Sequence, residues 1–217
     1  MSRFLNNADG FMGLTLSQLG LMIATGILLA AVFSFLFLSD WQRNAELTNI
    51  ATSFSTLIEG MDSRYFENTS VFHFPEKEYP YTVTLSTEYI VVSAKGHWNN
   101  DLSMKQRLQI QPWPQNRTIN PLWVQGDELH NYLNQTYQNS GTIIDPIDSQ
   151  NITDVQLYLA NKRNTISSLL AIQPLSLRLN QTVSIDKVVI YYDTNGNRLW
   201  ENEFDEKQDF VLVYQYE

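Results

Sequence analysis

Five asparagines stand in Asn-x-Ser/Thr triplets with no proline between: Asn68, Asn116, Asn134, Asn151 and Asn180. The amide nitrogen of such a residue is the acceptor for N-linked glycans on exported chains, and a bulky glycan demands a surface position. A second oxygen-rich stretch, Asp193-Thr194-Asn195-Gly196-Asn197, resembles the opening of a calcium loop. An EF-hand loop needs glycine at its sixth position and a carboxylate at its twelfth, and those positions hold Arg198 and Phe204. The same stretch answers a different rule, because Asn-Gly between two strand-like runs is the signature of a type I′ hairpin turn. A hairpin is the expectation here. A metal site would have to recruit Glu201 or Glu203 as further ligands, and none is expected.

The remaining groups with chemical potential are scattered. His73, His97 and His130 have no metal-ligand neighbour at helical spacing. There is no G-x-S-x-G, no P-loop and no dinucleotide fingerprint. The acidic pair Asp205-Glu206 falls in a charged run that reads as a solvated turn. The chain has no cysteine, which removes thiol catalysis, iron–sulfur clusters and thiolate zinc sites. No catalytic residue and no cofactor is expected. The formal net charge is −9, and the first 39 residues contribute only Arg3 and Asp9, so the acidity belongs to the rest of the chain. An acidic domain lacks the basic footprint of a nucleic-acid binder, and that class of partner is excluded.

The elements that must carry these groups begin with an anchor. Residues 10–39 contain no charge, and residues 19–38 are a dense apolar run. About 20 such residues span a bilayer as a helix, and the run is too long for a signal-peptide core of roughly 7–15. Beyond it, Leu47, Ile50, Phe54, Leu57 and Met61 step by three and four, with Ala51 and Ile58 widening the stripe. That spacing lays one apolar face along a helix. One continuous helix is therefore expected over residues 16–65, its outer half buried against the strand-rich remainder of the chain.

Residues 67–80 read as a loop. Alternation predicts strands at 81–85, 88–94 and 104–111, an antiparallel meander with one buried face. Residues 112–126 hold three prolines and both Trp113 and Trp123, a structured connection whose aromatics cap a core or offer a carbohydrate platform. A helix is predicted over 127–137, where acid fills the first turn. Residues 138–154 form a polar excursion. The later half is read as strands at 155–159, 166–172, 175–179, 183–193, 198–204 and 210–216, with Val188-Val189-Ile190-Tyr191-Tyr192 continuous enough to be central. The fold class is α+β: a long N-terminal helix, transmembrane then amphipathic, packed on an antiparallel β-rich domain.

An apolar half-helix followed by an amphipathic half on a β domain resembles the archaeal type IV pilin-like proteins. Gly13 precedes Leu14-Thr15-Leu16-Ser17-Gln18 and the apolar run. In that family a short leader ending in Gly or Ala is cut by a dedicated peptidase, and a Glu or Gln commonly stands near the fifth mature position. The resemblance thus implies cleavage between Gly13 and Leu14, with Gln18 as a polar contact to a neighbouring subunit. Cleavage after Gly10 would instead leave Phe11 first. It further implies a leader-like cytoplasmic segment at 1–13, a transmembrane half at 14–39, an amphipathic half at 40–66 and an extracellular domain at 67–217. The expected partners are membrane lipid, copies of the chain or other pilin-like subunits, and N-linked glycans. The expected role is a single-pass surface protein acting by assembly or adhesion. Two alternatives stay open: a monomeric anchored module binding through the Trp113/Trp123 region or residues 138–154, and an accessory subunit of a surface-layer or secretion complex.

Overall fold

The computed structural model describes residues 6–96, 99–197, 200 and 205–216, with side chains from residue 16 onward except at 36 and 37. In chain order the elements are α1 (Asn6–Asp62), β1 (Asn68–Phe72), β2 (Tyr81–Leu85), β3 (Tyr89–Lys95), β4 (Asp101–Arg107), β5 (Trp113–Gln115), α2 (Gly126–Tyr137), α3 (Ile152–Ile172), β6 (Leu175–Leu177), β7 (Val183–Tyr192) and β8 (Glu206–Gln215). The class is α+β, as the patterning predicts.

Helix α1 runs 57 residues without a break, about 85 Å. It starts earlier than residue 16 and ends at Asp62 rather than 65, where its apolar stripe stops at Met61. Leu47, Ile50, Ala51, Phe54, Ile58 and Met61 are all buried, each large member contributing on the order of 2 kcal/mol by removal from water. Phe54 meets the rings of Phe72 and Phe74 at 4.9 and 5.3 Å between centroids.

Two four-stranded sheets enclose this stripe. One has the order β1-β7-β8-β5 and the other β4-β3-β2-β6; every pairing is antiparallel except β5 with β8. Val183, Ile185, Val211 and Val213 join the α1 stripe and the inner residues of β2, β3 and β4 in one core. The opposite faces of β7 and β8 offer Val188, Ile190, Tyr192, Phe210, Leu212 and Tyr214 to a second core beneath α2 and α3. All ten residues of β7 are buried, which is why its second half, Val188-Val189-Ile190-Tyr191-Tyr192, reads as a continuous apolar run rather than an alternating one.

Four expectations are corrected. Residues 155–159 and 166–172 belong to a single helix, α3, with Val155, Leu159, Ile166 and Leu170 on its buried face. Val155, Leu157 and Leu159 alternate locally like a strand, but Leu157 is exposed and the true period is helical. Residues 67–80 contain the edge strand β1, whose polar Asn-Thr-Ser start hides a strand that needs only one neighbour. The third meander strand lies at 101–107, not 104–111, and the chain leaves it with the Gln109 N–H bound to the Glu59 carboxylate (2.9 Å). Within residues 112–126 the chain pairs briefly as β5.

Candidate functional site

The part of the molecule with no internal purpose is the inner half of α1. From Leu16 through Phe35 every side chain is exposed, including Leu19, Leu21, Met22, Ile27, Leu28 and Phe33. The apolar window averages a hydropathy of 2.6 and none of it is buried. Among the described residues this is the one helix long and apolar enough to cross a membrane by length and composition. An apolar surface of this extent needs a non-aqueous partner. Gln18 is exposed within it. The backbones of Gly13 and Leu14 are helical, and the Leu14 side chain lies outside the described residues.

Where the bare half meets the β domain, Arg43 gathers the surrounding loops. Its guanidinium donates to the Lys95 carbonyl (2.8 Å) and lies 4.8 Å from the centroid of the Tyr79 ring. One turn on, Glu46 accepts from the Tyr79 hydroxyl (2.9 Å) and pairs with Lys77 (3.0 Å). Hydrogen bonds from Lys77 and Tyr79 hold Glu46 below its ordinary range. Burial and the Glu46 carboxylate push Tyr79 up to about 12. A polar cleft of about 480 Å³ opens here between Ser39–Glu46 of the helix and residues 76–79.

The far end of α1 is fixed by Lys187 of β7. Its side chain is fully buried, and the ammonium donates to the Asp62 carbonyl (2.8 Å) and to the Asp209 carboxylate. A cation at a helix C-terminus meets both an orphan carbonyl and the negative end of the dipole. Nearby, His130 of α2 donates from Nδ1 to the Ser140 carbonyl (2.7 Å) and from Nε2 to the Glu67 carboxylate (2.8 Å), which also accepts from the Val189 N–H (3.1 Å). Both ring nitrogens thus face acceptors, an arrangement that suits the doubly protonated ring. Burial opposes charge on His130, but Glu67 and Ser140 outweigh it and hold the imidazole above its ordinary 6.5. Burial likewise opposes charge on Glu67, and the His130 and Val189 bonds outweigh it and hold the carboxyl below 4.5.

The sequence-predicted sites are dispersed. Asn68 lies exposed on the edge strand β1, and Asn180 exposed in the turn between β6 and β7. Asn134 is exposed in the last turn of α2, within the predicted helix. Asn116 turns its Oδ1 onto the Ile119 N–H (2.7 Å), and the Nδ2 of Asn151 donates to the Tyr137 carbonyl (3.1 Å). Trp113 and Trp123 are buried, so they are no binding platform: Trp113 stacks on Phe210 at 4.3 Å and the Trp123 indole donates to Tyr158 (2.8 Å). Asn195-Gly196 is no type I′ turn either. Only Gly196 of the two has a positive φ (76°), and the Asp193 carboxylate captures the Gly196 and Asn197 N–H groups (2.7 and 3.3 Å). The β7–β8 hairpin closes at Tyr192 and Glu206 instead. Glu201 and Glu203, His97, and all but residue 200 of the expected strand at 198–204 lie outside the described residues. Among the described residues no group of three or more acidic, histidine or cysteine side chains is placed to hold a metal. Sequence reasoning missed Arg43 and Lys187; an arginine just past an apolar run and a lysine inside an apolar strand were the available signals.

No protein family, no curated protein and no solved structure matches the chain.

Proposed function

We propose that the chain is a membrane-anchored surface protein of pilin-like organisation, with the N-terminus cytoplasmic and the β domain outside, acting by assembly or adhesion. The observation that carries this reading is the division of α1: one unbroken rod, its outer half the spine of a β domain and its inner half bare and apolar. Assembly would bundle the bare halves, with Gln18 offered to a neighbouring subunit, and leave an acidic, glycan-bearing domain facing solvent. Mass spectrometry of the protein isolated from its own membrane tests it. A mature chain beginning at Leu14 or Phe11, recovered in cross-linked oligomers, is the expected result. A chain that retains Met1 and is always monomeric would sink the assembly reading.

The anchored binding module is favoured by one observation. Within the polar excursion after α2, Ile143 and Ile144 stand in solvent, the latter 86% exposed, on a turn braced by the Asp145 carboxylate at the Ser140 N–H. A rigid apolar tip of that kind suits contact with a protein partner.

A further inference from the structure

Residues 16–38 of α1 are uncharged and mostly apolar, and Asp40 is the first charge after them. At 1.5 Å per residue, Asp40 stands about 3 Å and Arg43 about 7.5 Å beyond Leu38 along the helix. The polar headgroup layer is roughly 5–7 Å deep on each side of the hydrocarbon. Both residues therefore lie in that layer or at its outer limit when the apolar run spans a bilayer.

The β3–β4 hairpin reaches down to the same level. Arg43 binds the Lys95 carbonyl, and Gly96 approaches Asp40 so closely that a Cβ there would lie 2.9 Å from the carboxylate and 2.2 Å from the Asn100 side chain. The turn is closed by the Gly96 N–H on the Asn100 carbonyl (2.9 Å), with Asn99 in the left-handed region at φ 58°. No stretch of α1 remains between this tip and the apolar run to serve as a stalk. Among the described residues the hairpin end carries polar groups, Lys95 paired with Asp101 at 2.6 Å and exposed Asn99 and Asn100, which suit headgroups rather than hydrocarbon. Trp41, 64% exposed at the same height, is the side chain that concentrates at this boundary.

We propose that the β3–β4 hairpin tip, formed by Lys95, Gly96 and residues 99–101, is a second membrane contact, resting in the lipid headgroup layer beside the span. The partner is the bilayer that holds α1. The charges around the junction mix both signs (Arg43, Lys77 and Lys95 with Asp40, Glu46, Glu76, Glu78 and Asp101), so the contact does not require anionic lipid. The inference rests on α1 being a span.

The absence of cysteine lets single cysteines carry a nitroxide cleanly. The full chain is placed in phosphatidylcholine nanodiscs containing a nickel-chelating lipid, with labels at Leu28→Cys, Asp101→Cys, Ser103→Cys and Ser63→Cys. Headgroup nickel should relax the Asp101 label several-fold more than the Ser63 label, which lies about 35 Å further along the helix axis than Asp40. The Ser103 label, two residues up β4, should fall between them. Equal relaxation at Asp101 and Ser63, with the Leu28 label in the oxygen-rich bilayer interior, overturns the proposal and leaves the anchor standing. A Leu28 label open to water removes the anchor and the proposal together.

Discussion

At the residue scale, the His130–Glu67 pair links α2 to the segment entering β1 and makes stability depend on pH. His130 is raised when folded, so its contribution is complete below 6.5 and disappears as pH climbs through the folded value. Glu67 is lowered, so its contribution is complete above 4.5 and disappears as pH drops through its folded value. The pair therefore supports the fold most between those two limits. Because the Glu67 side chain is 41% exposed, the effect is screened and modest. Thermal melts of the wild type should show Tm declining as pH rises above 6.5, and His130→Gln should flatten that decline. An unchanged slope in the variant would assign the pH dependence elsewhere.

At the scale of elements, α3 is the sharpest test of the architecture. Asn164 is exposed near its middle, and proline there removes an internal hydrogen bond and clashes with the preceding turn. Asn164→Pro should cost about 3 kcal/mol in denaturant unfolding. A connector between two strands, the role that patterning alone assigns to residues 160–165, would absorb the same change. The contrast shows what patterning conveys. The α1 stripe is legible because seven apolar residues keep the helical period over four turns, and β7 because burial on both faces leaves five successive apolar residues at 188–192. In α3 the exposed Leu157 completes a false two-residue alternation, and β1 has too few apolar residues to register. The junction at Arg43 is not legible at all, since its partners, Lys95 and Tyr79, lie 52 and 36 positions away in the chain.

At the scale of the whole molecule, the surface sorts the five sequons. Asn68 and Asn180 offer exposed side chains on extended or turning backbone, whereas the Asn151 nitrogen that a glycan would need is already donating to Tyr137. If the domain is exported as proposed, glycopeptide mass spectrometry should find Asn180 and Asn68 occupied and Asn151 bare. Occupancy at Asn151 with the other two empty would contradict the export-and-surface reading of these residues.

The fastening of α1 has a mechanical consequence. The outer half of the helix is gripped along its length by both sheets and at its tip by the buried Lys187. A pull along α1 from its bare half therefore loads these contacts in shear and all at once, rather than peeling them in sequence. The helix acts as a mast stepped through the domain, and failure under tension requires the whole stripe from Leu47 to Met61 to slip together.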